Sequence, residues 1–446
     1  MPPRQPAREG LASRAALRAY GLAAWLAQPL LRRKLRRRAQ AEAGYAEAVP
    51  ERFGRYTTPA QTQAELLWIH AVSLGETRTA GLLIAALRER IPDVRILLTH
   101  GTATGRAEGR QLLQGGDLQC WLPWDTPGAV RRFFAHFRPA MGLLIETEVW
   151  PNLIDQAAHA GVPLWLVNAR LNAKSLAGAQ RLPALMRPAY AGLAAVYAQT
   201  EQDAGRLRAA GASVTAVTGN LKFDARPDAR LLAQGRDWRT RFRQRTGRPI
   251  VMLASSRAGE EAQWLNAIRT TAGAQDLQWL VVPRHPQRFD EVAALARERG
   301  LVVSRRSQWP ADGEAPPAAD LWLGDSMGEM ALYYGLADLA LLGASFEPLG
   351  GQNLIEACAC GCPVVMGPHT FNFAQSAEDA LAQGVAWRAG DMTQAVALAL
   401  QQVRDPAQLR LCSTRAEAFA QHHRGALARL ADAVALALHR HALPAR

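Results

Sequence analysis

Compact apolar runs alternate along this chain with longer amphipathic stretches, and a break near the middle divides the series into two similar halves. In the first half, residues 66–69 (LLWI), 94–100 (VRILLTH), 142–146 (GLLIE), 163–170 (PLWLVNAR) and 195–200 (AVYAQT) are short and continuously apolar, the mark of buried strands. Residues 120–125 (CWLPWD) and 214–224 (VTAVTGNLKFD) complete the set. Between them lie loops that open into helical patterns, such as HAVSLGETRTAGLLIAALRER from His70. Strands alternating with helices of this length predict an α/β fold, here a doubly wound parallel sheet over residues 60–222. Residues 224–247 are charged and helical and read as a linker. The pattern then restarts with 249–256 (PIVMLASS), 277–286 (LQWLVVPRHP), 301–306 (LVVSRR), 320–325 (DLWLGD) and 338–345 (DLALLGAS), with a Pro-, Asp- and Ala-rich surface loop at 309–319. Two Rossmann-like domains facing across a cleft are expected, with residues 407–446 as a helical segment packing across both.

Ligand-binding features concentrate where these strands end. After 338–342, Gly343 closes a strand, Gly350 and Gly351 let the main chain approach a ligand, and Asn353 is placed to cap a helix over 354–360. Such a helix N-terminus attracts phosphate through its unpaired N–H groups, and Glu356, one turn in, can accept from ribose hydroxyls. With 363–366 (PVVM) as the next parallel strand the unit is βαβ, its ligand edge at the strand C-termini. An ordinary turn that needs glycine only for its backbone fits the same residues.

Composition changes the picture at the N-terminus. Ten basic residues and Glu9 within residues 1–40 carry +9 of the net +13, so the rest of the chain is close to neutral. Residues 19–31 (AYGLAAWLAQPLL) are apolar, hold Tyr20 and Trp25, and run straight into RRKLRRR. The run falls short of the roughly 20 residues a bilayer-spanning helix needs, so residues 1–45 are expected to lie on a membrane as a basic amphipathic anchor. A signal peptide would place its basic residues first and show a small-residue cleavage site. Nucleic acid also attracts polybasic clusters, but the apolar aromatic neighbour is wasted on a phosphate backbone, and no nucleic-acid partner is expected. The five cysteines, Cys120, Cys358, Cys360, Cys362 and Cys412, form no CxxC pair; buried reduced thiols and a cytoplasmic setting follow.

Several polar residues at strand ends are candidates for chemistry. Glu76 falls near the start of the helix that follows HAVSLG, either as a helix-stabilising first-turn acid or as a general base for a substrate hydroxyl. Glu146 and Glu148, two apart on what reads as an extended segment, share a face and could bind a metal, raise each other's pKa or hold sugar hydroxyls. Lys222 stands out in an arginine-dominated chain whose only other lysines are Lys34 and Lys174, which suggests a need for a compact ammonium. Arg284, following a strand with Pro283, can meet a phosphate or carboxylate in bidentate fashion. His285 beside it is better read as pinned by local hydrogen bonds than as catalytic. Asp325 to Glu329 occupy another strand end, where the main chain could frame a nucleobase.

Taken together, HAVSLGE, ETEVWPN, VNARL, VTGNLKFD, VPRHPQRF, GDSMGEM and PLGGQNLIEACACGCPVVMGPHTFNF resemble, in this order and spacing, the 3-deoxy-D-manno-octulosonic acid (Kdo) transferases of lipopolysaccharide assembly. The resemblance runs from about Leu17 to the end. It implies a GT-B glycosyltransferase with a membrane-associated N-terminal helix that moves Kdo from CMP-Kdo to a lipid A precursor, lipid IVA, with inversion. No metal and no cofactor are expected. It implies domains at 46–225 for the acceptor and 226–406 for the donor, working at the cytoplasmic face of the inner membrane against its anionic surface. By the same resemblance Glu76 is the base, Glu146 and Glu148 form the acidic motif, and Lys222 helps stabilise the transition state. The CMP contacts fall on Pro283, Arg284, Met327, Gly328, Glu329, Asn353, Leu354, Ile355 and Glu356. Two departures stand out: Ala357 replaces the usual proline, and ASSRAGE carries Arg257 where the family has histidine. The residues alone also allow a GT-B transferase using a UDP-sugar on a lipid or cell-wall acceptor, a nucleotide-sugar epimerase, or a non-enzymatic nucleotide sensor.

Overall fold

Fourteen strands form among the described residues of the computed structural model, which are 10–61, 66–309 and 316–442. The first nine residues of the expected anchor, and 310–315 of the expected surface loop, lie outside them. Two units divide the chain: Met1–Asp224 with Arg424–Arg446, and Ala225–His423.

In the first unit the strands are β1 (Leu66–His70), β2 (Arg95–His100), β3 (Leu118–Trp121), β4 (Met141–Ile145), β5 (Leu164–Ala169), β6 (Ala195–Ala198) and β7 (Ala216–Val217). They pair in parallel in the order β3-β2-β1-β4-β5-β6-β7, so the strand order reverses between β1 and β4. The continuous apolar runs follow from burial on both faces. Leu66 and Trp68 point into one core with Phe133 and Leu144, while Leu67 and Ile69 point into the other with Leu83, Leu143 and Leu430. The helix Ala426–Ala442 belongs to this second core and is fastened by Asp224, whose carboxylate accepts from the N–H groups of Gly425 and Leu427. The helical tail expected over 407–446 is thus two helices, Pro406–His422 in the second unit and Ala426–Ala442 in the first.

The basic N-terminus forms two helices, α1 (Leu11–Leu26) and α2 (Gln28–Ala41), and the apolar run 19–31 straddles the break between them. One side is held by the first unit: a Cβ on Gly21 would come within 2.9 Å of the Pro127 ring, Tyr20 donates to Asp125, and Leu35 is buried with Tyr45 and Trp121. Arg32 stacks over Phe53 at 3.9 Å. Leu22, Trp25, Leu26 and Leu30 stay exposed. No helix among the described residues is long and apolar enough to cross a membrane.

The second unit repeats the plan with β8 (Ile250–Ser256), β9 (Gln278–Pro283), β10 (Val303–Arg305), β11 (Leu321–Leu323), β12 (Leu339–Leu342), β13 (Val364–Met366) and β14 (Ala386–Arg388). The parallel order is β10-β11-β9-β8-β12-β13-β14, reversing between β8 and β12. The charged segment is helical as expected, Ala229–Thr246, but it is not a linker: it belongs to the second unit, with Trp238 and Phe242 buried. Its Gly235 meets the helix Met330–Leu336 so closely that a Cβ would lie 2.1 Å from the Leu332 carbonyl oxygen, and Gly335 makes the reciprocal approach to Leu232. Backbone contact through glycine leaves little apolar signal in sequence, where the charges of this helix dominate.

Candidate functional site

Open α/β sheets bind ligands at the strand C-termini where the order reverses, and in the first unit those ends belong to β1 and β4. Leaving β1, the chain turns at once into α3 (Leu74–Arg90), capped by Ser73, whose hydroxyl oxygen accepts from the Glu76 N–H at 3.4 Å. The Glu76 carboxylate returns the contact, accepting from the Ser73 hydroxyl at 2.9 Å and from the Val72 N–H at 2.8 Å. This reciprocal arrangement is a variant of the capping box, in which the carboxylate takes the main-chain N–H one residue before the cap, so the helix-stabilising role is present. It does not exhaust the side chain, which is half-buried and whose pKa burial pushes up to about 7, with Glu146 and Glu148 adding to the rise against the two donors. A carboxyl poised near neutrality at a switch-point edge is what a general base requires.

Glu146 and Glu148 follow β4, and here the extended reading gives way. Glu146 sits at φ 66°, a left-handed conformation that costs a non-glycine residue about 1 kcal/mol or more, and the segment turns instead of extending. The two carboxylates therefore part company. Glu146 is ion-paired to the Lys222 ammonium at 2.7 Å. Glu148 accepts from the Trp150 indole N–H at 2.6 Å, stands 4.0 Å from His70 Nε2, and is raised in pKa by burial. His70, fully buried, is pushed down to about 3, chiefly by that burial, and is neutral; its Nδ1 lies 3.1 Å from the Thr99 carbonyl and 2.9 Å from its hydroxyl. No group of three or more His, Cys, Asp or Glu that could hold a metal occurs among the described residues.

Lys222 reaches Glu146 from the turn Leu221–Asp224 after β7. Asn168, at the end of β5, holds that turn by accepting from the Leu221 N–H at 3.0 Å, and is itself left-handed at φ 51° and fully buried. Glu76, Glu146, Glu148 and Lys222 thus converge at one sheet edge. His70 and Asn168 join them, and neither was singled out from sequence because their partners lie 78 and 53 positions away.

In the second unit the reversal lies between β8 and β12, and Glu260 joins the two strand ends. Its buried carboxylate accepts from the N–H groups of Arg257 at 2.9 Å, Ala344 at 2.8 Å and Phe346 at 3.1 Å. A Cβ on Gly343 would stand 2.5 Å from the Ala254 and Ser255 carbonyls, which fixes glycine there. Arg284 leaves β9 behind buried Pro283 with its guanidinium exposed. Glu329 is committed to Arg306 at 2.9 Å and to the Ser326 hydroxyl, leaving Met327 exposed beside Gly328 at φ 81°. Asn353 caps a helix of six residues, Leu354–Ala359, by accepting from the Ile355 N–H at 3.1 Å. Leu354 and Ile355 point into the core, so only their main chain can face a ligand, while Glu356 is exposed on the first turn. All five cysteines are free and buried.

Residues 47–225 match the family model described as 3-Deoxy-D-manno-octulosonic-acid transferase (kdotransferase). A 3-deoxy-D-manno-octulosonic acid transferase of Bordetella pertussis is 48% identical over 427 residues, covering 93% of this chain and 98% of that one. This chain belongs to the Kdo transferase family. A second member, from Haemophilus influenzae, is 33% identical over 332 residues, 74% of this chain and 77% of its own. Membership makes the chain a glycosyltransferase. Among solved structures, a glycosyltransferase from Rickettsia africae aligns with a TM-score of 0.57 over 85% of this chain and 99% of that one, at 10% identity. That likeness shows the GT-B fold, two parallel-sheet α/β units, and only the fold. Within the Kdo transferase family, the convergence at the β1 and β4 ends gives the first unit a candidate base and a paired ammonium.

Proposed function

We propose that this Kdo transferase takes CMP-Kdo as donor and lipid IVA, the lipid A precursor, as acceptor, and transfers the sugar with inversion. In the step, a hydroxyl oxygen of the acceptor attacks the anomeric carbon of Kdo while the bond from that carbon to the CMP phosphate oxygen breaks. The hydroxyl proton passes to Glu76, and CMP leaves with the bonding electrons. Lys222, held by Glu146, places positive charge near the reacting groups, and Glu148 orients the acceptor. In the second unit Arg284 and the main chain of Asn353 to Glu356 stabilise the departing phosphate electrostatically, with Met327 to Glu329 against the base. The observation that carries this reading is Glu76: its pKa of about 7 leaves it largely ionised just above neutrality yet able to hold a proton.

The reading extends to the membrane. Leu22, Trp25, Leu26 and Leu30 are exposed on α1 and α2 beside the basic run, and Leu30 lines a groove of about 440 Å³ with Arg33, Lys34, Arg37, Arg38 and Ala41. An apolar face beside a polybasic one suits the cytoplasmic surface of the inner membrane, where the acceptor lipid is embedded. The decisive experiment incubates the protein with CMP-Kdo and lipid IVA and weighs the lipid by mass spectrometry. One or more added Kdo masses are expected, and their number counts the sugars transferred. Turnover with a UDP-sugar and none with CMP-Kdo would replace the donor assignment.

A further inference from the structure

Ser256 and Pro283 are register partners at the ends of β8 and β9, and Arg257 and Arg284 are the residues that follow each strand. Adjacent strands lie about 4.8 Å apart, so the main chains of Arg257 and Arg284 leave the sheet edge side by side. The Arg284 N–H donates to the Ser256 carbonyl at 3.0 Å and fixes their relation. Arg288 follows on the same loop. After burial, it is Arg257, Arg284 and Arg288 that hold His285 below its ordinary range, so the three cations share one neighbourhood.

Their counter-charges are unequal. Arg288 is met by Glu261 at 2.8 and 3.0 Å and by Glu291 at 2.9 Å. Glu260, the acid closest in sequence to Arg257, is buried with its oxygens committed to three main-chain N–H groups. Neither Arg257 nor Arg284 makes a side-chain hydrogen bond or ion pair with any described residue. Two like charges near one another with no carboxylate paired to either side chain repel, and an anion with two or more oxygens offsets that repulsion through bidentate contacts to both.

We propose that Arg257 and Arg284 form a paired-guanidinium site for an anionic group of the donor, with Arg257 as a specificity-determining residue. This rests on the reading of the second unit as the donor unit. CMP-Kdo offers two such groups, its phosphodiester and the sugar carboxylate, and the test tells them apart. Calorimetry would measure cytidine, CMP and inorganic pyrophosphate binding to the full chain, alongside the KM for CMP-Kdo, in the wild type, Arg257→Gln and Arg257→Lys. If Arg257 meets the phosphate, Arg257→Gln weakens CMP at least tenfold and leaves cytidine unchanged. If it meets the carboxylate, CMP is unchanged and the KM for CMP-Kdo rises at least tenfold. In either case lysine restores only part, because it lacks the planar fork. Unchanged affinities and KM in Arg257→Gln overturn the proposal. Should wild type bind no CMP yet lose pyrophosphate binding on Arg257→Gln, the donor reading falls and the paired site stands. The side chain holds no other residue, so melting temperatures should coincide.

Discussion

Glu76 carries two roles whose removal can be separated. Glutamine preserves the capping box, since its amide oxygen still accepts from the Val72 N–H and caps of this type tolerate Glu or Gln. We expect Glu76→Gln to change unfolding free energy by no more than about 1 kcal/mol, while turnover falls by roughly 10²- to 10⁴-fold. A glutamine variant of unchanged rate, checked for intact CMP binding, would remove Glu76 from the base role. The pH dependence follows with its sign. A base must be ionised, so kcat/KM should fall about tenfold per unit below pH 7 and level off above it. Burial raises the pKa in the folded protein, so the folded state binds the proton more tightly than the unfolded chain. Ionising Glu76 therefore lowers stability as pH climbs from the ordinary carboxylate range to about 7, and glutamine should abolish that slope. A rate profile that is flat between pH 6 and 8 would contradict the assignment. The place of Glu76 in the first turn of its helix was legible in the sequence because the residues that fix it, from His70 to Gly75, are its immediate neighbours. The divergence of Glu146 and Glu148 was not, because the left-handed turn at Glu146 is set by contacts with Lys222 and the end of β5.

Among elements, strands were the easiest to read, since a run buried on both faces has few alternatives. Helix Ala229–Thr246 is legible as a helix but not as a packed part of the second unit, because its tightest contact is made by a glycine. That contact gives a sharp prediction. A Cβ at Gly235 would sit 2.1 Å from the Leu332 carbonyl oxygen, a main-chain atom that cannot swing aside. Gly235→Ala should therefore destabilise the second unit by about 3 kcal/mol, near the upper end for overpacking, despite alanine's better helix propensity. Gly178, inside the helix Ala173–Arg181, meets nothing within 4 Å and serves as the control. Gly178→Ala should stabilise by roughly 0.5–1 kcal/mol. Urea midpoints moving in opposite directions are the expected result; a neutral Gly235→Ala would mean that the two helices are not in backbone contact.

At the scale of the whole molecule the charge is lopsided, with +9 of +13 in the first 40 residues. Part of that charge already has a structural use, because Arg32 stacks on Phe53 and Arg38 on Tyr45. Leu22, Trp25, Leu26 and Leu30 are exposed and belong to none of the buried cores. Membrane binding by this face should have two separable parts. Each basic residue near an anionic surface contributes about 1 kcal/mol and is screened by salt over about 10 Å or less. Each large apolar side chain that enters the acyl boundary contributes up to about 1.5–3 kcal/mol and is not screened. The wild-type chain should therefore co-sediment with vesicles rich in anionic lipid far better than with neutral ones, and half-molar salt should weaken but not abolish that binding. Changing Trp25, Leu26 and Leu30 together to serine should cost at least a hundredfold in partition at any salt, with melting unchanged. Charge-reversed Arg36 and Arg37, both exposed on α2, should instead remove mainly the salt-sensitive part. Equal binding to neutral and anionic vesicles, or a serine variant that partitions like the wild type, would show that this face does not hold the membrane.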